Sequence, residues 1–139
     1  MQSPSLDGSS RDHYSEIYVG YEDNGGVHWN SGIANHFFYL LTVGGKHWNK
    51  KYHSSNEVIG VGVSTAFDVY FHAWTNKFVM HTTFHEARVY TLESCKELEY
   101  PESVCNSVDN AWKEVGVPDI CVDSPIGWYD RDGPYFNCN

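Results

Sequence analysis

Apolar residues recur at intervals of three and four in four stretches of the chain, a spacing typical of helices with one buried face. The stretches are residues 33–41, 63–74, 87–98 and 104–115. Only a few residues separate the third stretch from the fourth, so we expect those two helices to form an antiparallel hairpin. The pattern predicts an all-α domain built mainly from four helices.

The second stretch carries the widest apolar face. Its apolar residues are Val63, Ala66, Phe67, Tyr70, Phe71 and Trp74. A face this wide is typical of a core helix, so we expect the aromatic side chains to be packing residues rather than a cofactor-binding site. His72 lies beside that face and is expected to form a structural hydrogen bond.

Local signals mark the ends of the helices. The expected starts are Asn30 or Ser31, the Thr83 and Glu86 capping box, and Pro101, and the expected stops are Gly44 with Gly45 and Gly116. Residues 1–22 lack a helical period and are expected to form a surface loop, in which His13 is assigned no role. Residues 46–60 are expected to form a solvated polar connection. Residues 119–139 resemble an irregular tail, so the predicted boundaries are 1–118 for the helical domain and 119–139 for the tail.

Composition excludes several classes of partner. A chain of 139 residues with 41% hydrophobic residues can bury the core of one domain. A formal charge of −9 disfavours binding to nucleic acid or to an anionic membrane, because both are held by clusters of Lys and Arg. No apolar run reaches the roughly 18 residues of a membrane span. The first eight residues lack the basic and apolar parts of a signal peptide.

Four cysteines lie in the last third of the chain. They contain no CxxC pair and no zinc-finger spacing, so a structural metal site is not indicated. An even number of cysteines favours two disulfides formed in an oxidising, extracellular compartment, the alternative being four reduced and buried thiols. Of the three possible connectivities, the local pairs Cys95 with Cys105 and Cys121 with Cys138 are predicted. Disulfides imply an extracellular protein, yet the sequence shows no signal peptide. We therefore expect Met1 to be an internal residue that is exposed by cleavage.

The chemically most informative stretch is residues 23–28, with the sequence DNGGVH. Extended chain would hold Asp23 and His28 roughly 17 Å apart, but Gly25 and Gly26 permit the positive-φ conformations that can fold the segment back. A carboxylate that accepts a hydrogen bond from one ring nitrogen fixes the tautomer, and the other ring nitrogen becomes a directed donor. Such a histidine suits an oxyanion better than it suits a metal. A structural hydrogen bond that braces the turn is the alternative.

Metal-binding motifs are incomplete in this chain. His85 and Glu86 resemble half of an HEXXH motif, but Val89 stands where the second histidine belongs. His81 and His85 are four residues apart, yet residue 81 precedes the predicted helix cap and need not share its face. The aspartates of residues 119–139 lack EF-hand spacing. The sequence therefore predicts no metal site in this chain.

Several segments closely resemble the C-terminal helical domain of the thermolysin-like (M4) zinc metallopeptidases. They are residues 23–28 (DNGGVH), 30–33 (NSGI), 39–41 (YLL), 82–84 (TTF) and 111–117 (AWKEVGV), with Asn35 and the Gly44 and Gly45 pair. The resemblance covers residues 1 to about 118. It implies that a histidine at the position of His28 donates a hydrogen bond to the oxyanion formed during peptide hydrolysis, and that an aspartate at the position of Asp23 orients it.

The resemblance also implies what lies elsewhere. The family's zinc is held by two histidines of an HEXXH helix and by a glutamate, all on a portion N-terminal to this chain. The first hypothesis is therefore the C-terminal part of a secreted zinc metalloendopeptidase, inactive alone, whose partners are an HEXXH-bearing half and a peptide or protein substrate. The second is a non-catalytic extracellular module that packs against copies of itself. The third, a small helical enzyme using Asp23 and His28 as a dyad, has no nucleophile placed by the sequence.

Overall fold

The computed structural model describes residues 1–55 and 57–118, together with two short strands beyond them. The four helices are α1 (Asp23–Val43), α2 (Val63–Asn76), α3 (Phe84–Glu97) and α4 (Glu102–Glu114). Short 3-10 helices are formed by Pro4–Asp7, Tyr14–Glu16 and Lys50–Tyr52, and the strands Tyr129–Asp130 and Gly133–Pro134 pair antiparallel. The all-α prediction is confirmed. Within the described residues, none of the helices combines the length and hydrophobicity needed to cross a bilayer.

The core lies between α1 and its two neighbours. Helix α1 packs against α2 and α4, while α3 packs against α2 and α4. At the centre the ring of Phe37 stacks on that of Trp112 with 3.8 Å between the centroids, and both side chains are fully buried. The expected hairpin of the last two helices is present, because α3 ends at Glu97 and α4 begins at Glu102. The i, i+3, i+4 spacing therefore located all four helices.

The predicted capping signals act as expected at two helix ends. At the start of α3 the Thr83 hydroxyl accepts the backbone N–H of Glu86, and the Glu86 carboxylate accepts the backbone N–H of Thr83. At the end of α1, Gly44 has φ of 86°, and a Cβ there would lie 2.7 Å from the backbone nitrogen of Gly60. Only glycine permits both that conformation and that close approach.

Most of the aromatic face of α2 is exposed, whereas the sequence predicted that it packs in the core. Helix α2 turns its small residues, Ala66, Val69 and Ala73, into the core. The larger apolar side chains Val63, Phe67, Phe71 and Trp74 are exposed by 65%, 54%, 43% and 61%. Apolar periodicity identifies an apolar face of a helix, but it does not show whether that face is buried, and the described residues leave this one exposed. His72 behaves as predicted, because its Nδ1 lies 3.0 Å from the Ser94 hydroxyl.

The expectation of solvated loops at residues 1–22 and 46–60 is wrong for two polar residues. Asp12 and His47 are each 1% exposed. The Asp12 carboxylate accepts N–H bonds from Ser5 (3.0 Å) and from the Trp48 indole (2.7 Å). The backbone N–H of His47 donates to the buried Glu114 carboxylate at 2.8 Å. Burial is possible because each polar group finds a partner from a distant part of the chain.

One predicted disulfide is present. Cys95 in α3 and Cys105 in α4 are bonded, with 5.7 Å between their Cα atoms. The bond ties the two helices of the hairpin close to their connection. The second predicted pair, Cys121 with Cys138, lies outside the described residues.

We expect the Cys95→Ala/Cys105→Ala variant to lose about 3 kcal/mol of unfolding free energy, because its unfolded state regains the entropy of a short closed loop. Urea denaturation followed by circular dichroism measures the change. Dithiothreitol should move the urea midpoint of the parent chain towards that of the variant. An unchanged midpoint in the variant would show that the bond does not constrain the unfolded chain.

Candidate functional site

A left-handed turn precedes the regular part of α1. Asp23, Asn24, Gly25 and Gly26 all have positive φ, of 53°, 50°, 83° and 79°. The amides of Gly25 and Gly26 both donate to the carbonyl oxygen of Glu22, at 3.1 and 3.0 Å. The two glycines therefore fold the chain back as the sequence predicts, although Asp23 and Asn24 share the strained conformation.

This turn brings the Asp23 carboxylate to His28. Its Oδ1 lies 2.5 Å from His28 Nδ1. Its Oδ2 accepts the backbone N–H of His28 at 2.7 Å and that of Trp29 at 3.2 Å. The predicted contact is confirmed, and the same side chain caps the helix.

Asp23, rather than Asn30 or Ser31, is thus the residue that satisfies the first amides of the regular helix. The Ser31 hydroxyl instead donates to the carbonyl oxygen of His28, at 2.6 Å. The prediction of Asn30 or Ser31 as the cap was wrong. It relied on the general preference for Ser and Asn at helix starts, whereas the left-handed turn places the capping side chain earlier in the chain, at Asp23.

The electrostatics of the pair favour a charged carboxylate. The hydrogen bond with His28, with lesser help from the amides of Trp29 and His28, lowers the pKa of Asp23. An ionised Asp23 can only accept, so His28 must donate through Nδ1–H. The His28 side chain is 83% exposed, whereas that of Asp23 is 14% exposed. Within the described residues Nε2 has no partner, so it is open to an incoming molecule.

A buried asparagine fixes the turn from behind. The Asn30 side chain accepts the backbone N–H of Tyr18 at 2.8 Å and donates to the Tyr18 carbonyl oxygen at 2.9 Å. It also donates to the carbonyl oxygen of Gly25 at 3.3 Å. A Cβ on Gly26 would lie 2.8 Å from the Tyr18 ring. Sequence reasoning treated Asn30 only as a cap, and nothing in its spacing indicates that Tyr18 is its partner.

The match to known proteins covers the whole helical domain. Residues 1–117 match the family described as "Thermolysin metallopeptidase, alpha-helical domain". The chain belongs to this family. The predicted resemblance is confirmed over residues 1–117.

Individual thermolysin-family relatives are much longer than this chain. The bacillolysin of Bacillus cereus is 37% identical over 118 residues, which are 84% of this chain and 20% of the relative. The bacillolysin of Brevibacillus brevis is 36% identical over 84% of this chain and 21% of its own length. The transglutaminase-activating metalloprotease of Streptomyces mobaraensis is 35% identical over 84% of this chain and 16% of its own. The chain therefore spans about a fifth of the length of these relatives.

The family implies zinc in the complete enzyme, and the described residues do not fit that ion. Among residues 1–55 and 57–118, no three His, Cys, Asp or Glu side chains are grouped so that they could hold a metal. His85, one of the pair considered from the sequence, places its Nδ1 3.3 Å from the carbonyl oxygen of Pro118. His28 itself is engaged by a carboxylate.

Apart from His28, three histidines form a cluster in the interior of this thermolysin-family domain. His47 forms edge contacts with His13 and His36, with 5.7 and 4.5 Å between ring centroids. His36 is fully buried, and its Nε2 has no hydrogen-bond partner among the described residues. Burial first, and the neighbouring His47 second, lower the pKa of His13 and of His36 to about 4. His13 and His36 are therefore neutral in the folded protein at pH 7.

Acid should destabilise the fold through this cluster. An unfolded histidine titrates near pH 6.5, so between pH 6.5 and 4 the unfolded chain binds more protons than the folded chain, and stability falls as the pH falls. We expect Tm to drop by roughly 10 °C between pH 7.5 and 4.5. His36→Phe should reduce the drop, whereas His81→Gln, at an exposed position, should not. A Tm that is constant over this pH range would contradict the assignment.

Proposed function

We propose that this chain is the C-terminal part of a zinc metalloendopeptidase, in which His28 stabilises the oxyanion formed during peptide-bond hydrolysis and Asp23 orients His28. The observation that carries the proposal is the hydrogen bond that His28 Nδ1–H donates to Asp23, within an imidazole whose other side is exposed. Because the chain belongs to a metallopeptidase family, the reaction in which this geometry would act is peptide-bond hydrolysis.

The chemistry assigned to the pair follows from the positions of the protons. In the form of His28 that acts on the oxyanion both ring nitrogens carry a proton, so that Nδ1–H donates to Asp23 and Nε2–H donates to the substrate. The scissile carbonyl oxygen is neutral in the substrate and gains negative charge as the carbon becomes tetrahedral. A donor aimed at that oxygen is therefore stronger in the transition state than in the ground state, which is the condition for catalysis.

The rest of the reaction belongs to another part of the enzyme. The zinc-bearing half, with its HEXXH helix, would supply a metal that polarises the carbonyl oxygen and activates the attacking water. This chain would supply one helical wall of the cleft and the donor at His28. It is expected to be inactive alone.

An extracellular location is part of the same proposal. The bond between Cys95 and Cys105 supports it, because such bonds persist in oxidising compartments. A secreted peptidase also suits the acidic surface implied by a formal charge of −9, which favours solubility over adhesion to nucleic acid.

A chimeric enzyme tests the proposal. Residues 1–118 replace the matching segment of the Bacillus cereus bacillolysin, which is 37% identical to this chain. The chimera should bind one zinc ion and hydrolyse a fluorogenic peptide. A folded, zinc-loaded chimera without peptidase activity would contradict the proposal.

A further inference from the structure

The exposed apolar side chains of α2 form one continuous surface, here called the aromatic stripe and consisting of Val63, Phe67, Phe71 and Trp74. The ring centroids of Phe67 and Phe71 are 5.2 Å apart and the rings are stacked. Trp74 meets Phe71 edge to face at 6.2 Å. The rings are therefore already ordered against one another, which lowers the entropy cost of binding a partner.

The stripe forms one side of a groove between α1 and α2. The groove has a volume of about 270 Å³, and its α1 side is made by Ala34, Asn35 and Phe38. Together the exposed parts of the stripe amount to roughly 400 Å² of apolar area, about half of what one partner contributes to a standard interface. A single peptide side chain would leave most of this area uncovered.

The groove continues from the candidate site. Asn35 follows His28 by seven residues, so it lies on nearly the same face of α1 and about 10 Å along the axis. Phe38 lies one turn further along and towards α2. A protein surface that reaches the His28 imidazole would therefore meet the groove as the next part of the same surface.

Charge favours a partner other than a second copy. The stripe itself carries no charge, and the neighbouring Asp68 is turned aside to accept the Tyr100 hydroxyl at 2.9 Å. Two copies of this chain would each bring a formal charge of −9, and their mutual repulsion opposes pairing. A copy seated in the groove would also stand over the face of α1 that presents His28.

We propose that the aromatic stripe and its groove are the docking surface for the zinc-bearing half of the metallopeptidase. The inference rests on the proposed function, since that half is the partner that must approach His28. The face that docks here is apolar, and it buries Phe71 and Trp74 at its centre.

The first arm of the test uses the chain alone. Phe71→Asp/Trp74→Asp is compared with the control Val79→Asp/Met80→Asp, which adds the same charge at side chains that are 68% and 90% exposed outside the groove. Both variants should stay within a few °C of the parent Tm, because the substituted side chains are largely exposed and surface substitutions have small effects. Parent and variants should all sediment as monomers. If the parent chain is a dimer that the stripe variant dissociates, the stripe binds a second copy and the proposal is overturned. If the stripe variant strongly destabilises the chain alone, the stripe packs against this chain's own residues, and the proposal is overturned as well.

The second arm places the same substitutions in the bacillolysin chimera. There the stripe variant should lower Tm by roughly 10 °C while the control variant does not, because only the stripe variant charges a buried interface. Equal shifts in the two variants would overturn the docking surface even if the chimera is an active peptidase. A chimera that does not fold with an intact stripe would also overturn it, because the two faces would not match. If the chimera binds zinc but is inactive, and only the stripe variant lowers its Tm, the result would support the docking surface and would contradict only the proposed function.

Discussion

His28→Ala in the bacillolysin chimera is expected to lower kcat/KM by about 10²- to 10³-fold, the loss typical of removing one oxyanion donor. The fall should appear in kcat, with KM nearly unchanged, because the donor acts on charge that develops only in the transition state. Hydrolysis of a fluorogenic peptide by the two purified proteins measures both constants.

The same substitution should leave the fold intact. The imidazole is 83% exposed, and Asp23 Oδ2 caps α1 through the backbone N–H groups of His28 and Trp29, which alanine retains. His81→Ala, at an exposed position before α3, is the matched control and should change neither rate nor Tm. A Tm loss in His28→Ala as large as that of a core substitution would show that the pair braces the turn instead.

Arg88→Ala is expected to cost the largest share of stability, about 3–5 kcal/mol, because it removes a buried guanidinium that pairs with the half-buried Asp109 carboxylate and bonds the buried Val117 carbonyl. Arg88 is 3% exposed; its Nη2 donates to Asp109 Oδ1 and its Nη1 to the carbonyl oxygen of Val117, both at 2.6 Å. Although burial raises the pKa of Asp109, hydrogen bonds from Lys113 and Arg88 outweigh it and lower that pKa. Asp109 therefore remains a carboxylate and would lose its buried partner.

Urea denaturation compares this variant with Lys113→Ala, which removes the other cation from Asp109. The Lys113 side chain is 37% exposed, so its loss should cost less than about 1 kcal/mol. Similar losses in the two variants would show that the Arg88 pair is no more than a surface interaction.

Helix positions could be predicted from the sequence because their causes are local. The Thr83 and Glu86 capping box and the glycine at position 44 act within one turn of the helix end that they mark. The contact between Asp23 and His28 was predictable for the same reason, since the two glycines that permit it lie between them. The Asp23 cap was missed because its left-handed φ is set by the whole turn rather than by its own residue type.

The features that sequence reasoning missed depend on distant partners. Nothing in the spacing of Asp12 or His47 indicates burial, because Ser5, Trp48 and Glu114 supply their hydrogen bonds. The prediction for the aromatic stripe was wrong in the opposite direction, because these side chains were expected to be buried and are exposed. Its period was identified correctly, but the small residues Ala66 and Ala73 take the core position and leave Phe67, Phe71 and Trp74 exposed.

The affinity of a tetrahedral transition-state analogue tests the role of His28 most directly. A phosphonate peptide mimics the oxyanion, so its affinity reports donation to that oxygen without the remaining steps of turnover. The account predicts that His28→Ala raises its inhibition constant in the chimera by about the factor lost in kcat/KM, 10²- to 10³-fold, while the affinity for substrate changes little. An unchanged inhibition constant beside a large fall in kcat would contradict oxyanion stabilisation by His28.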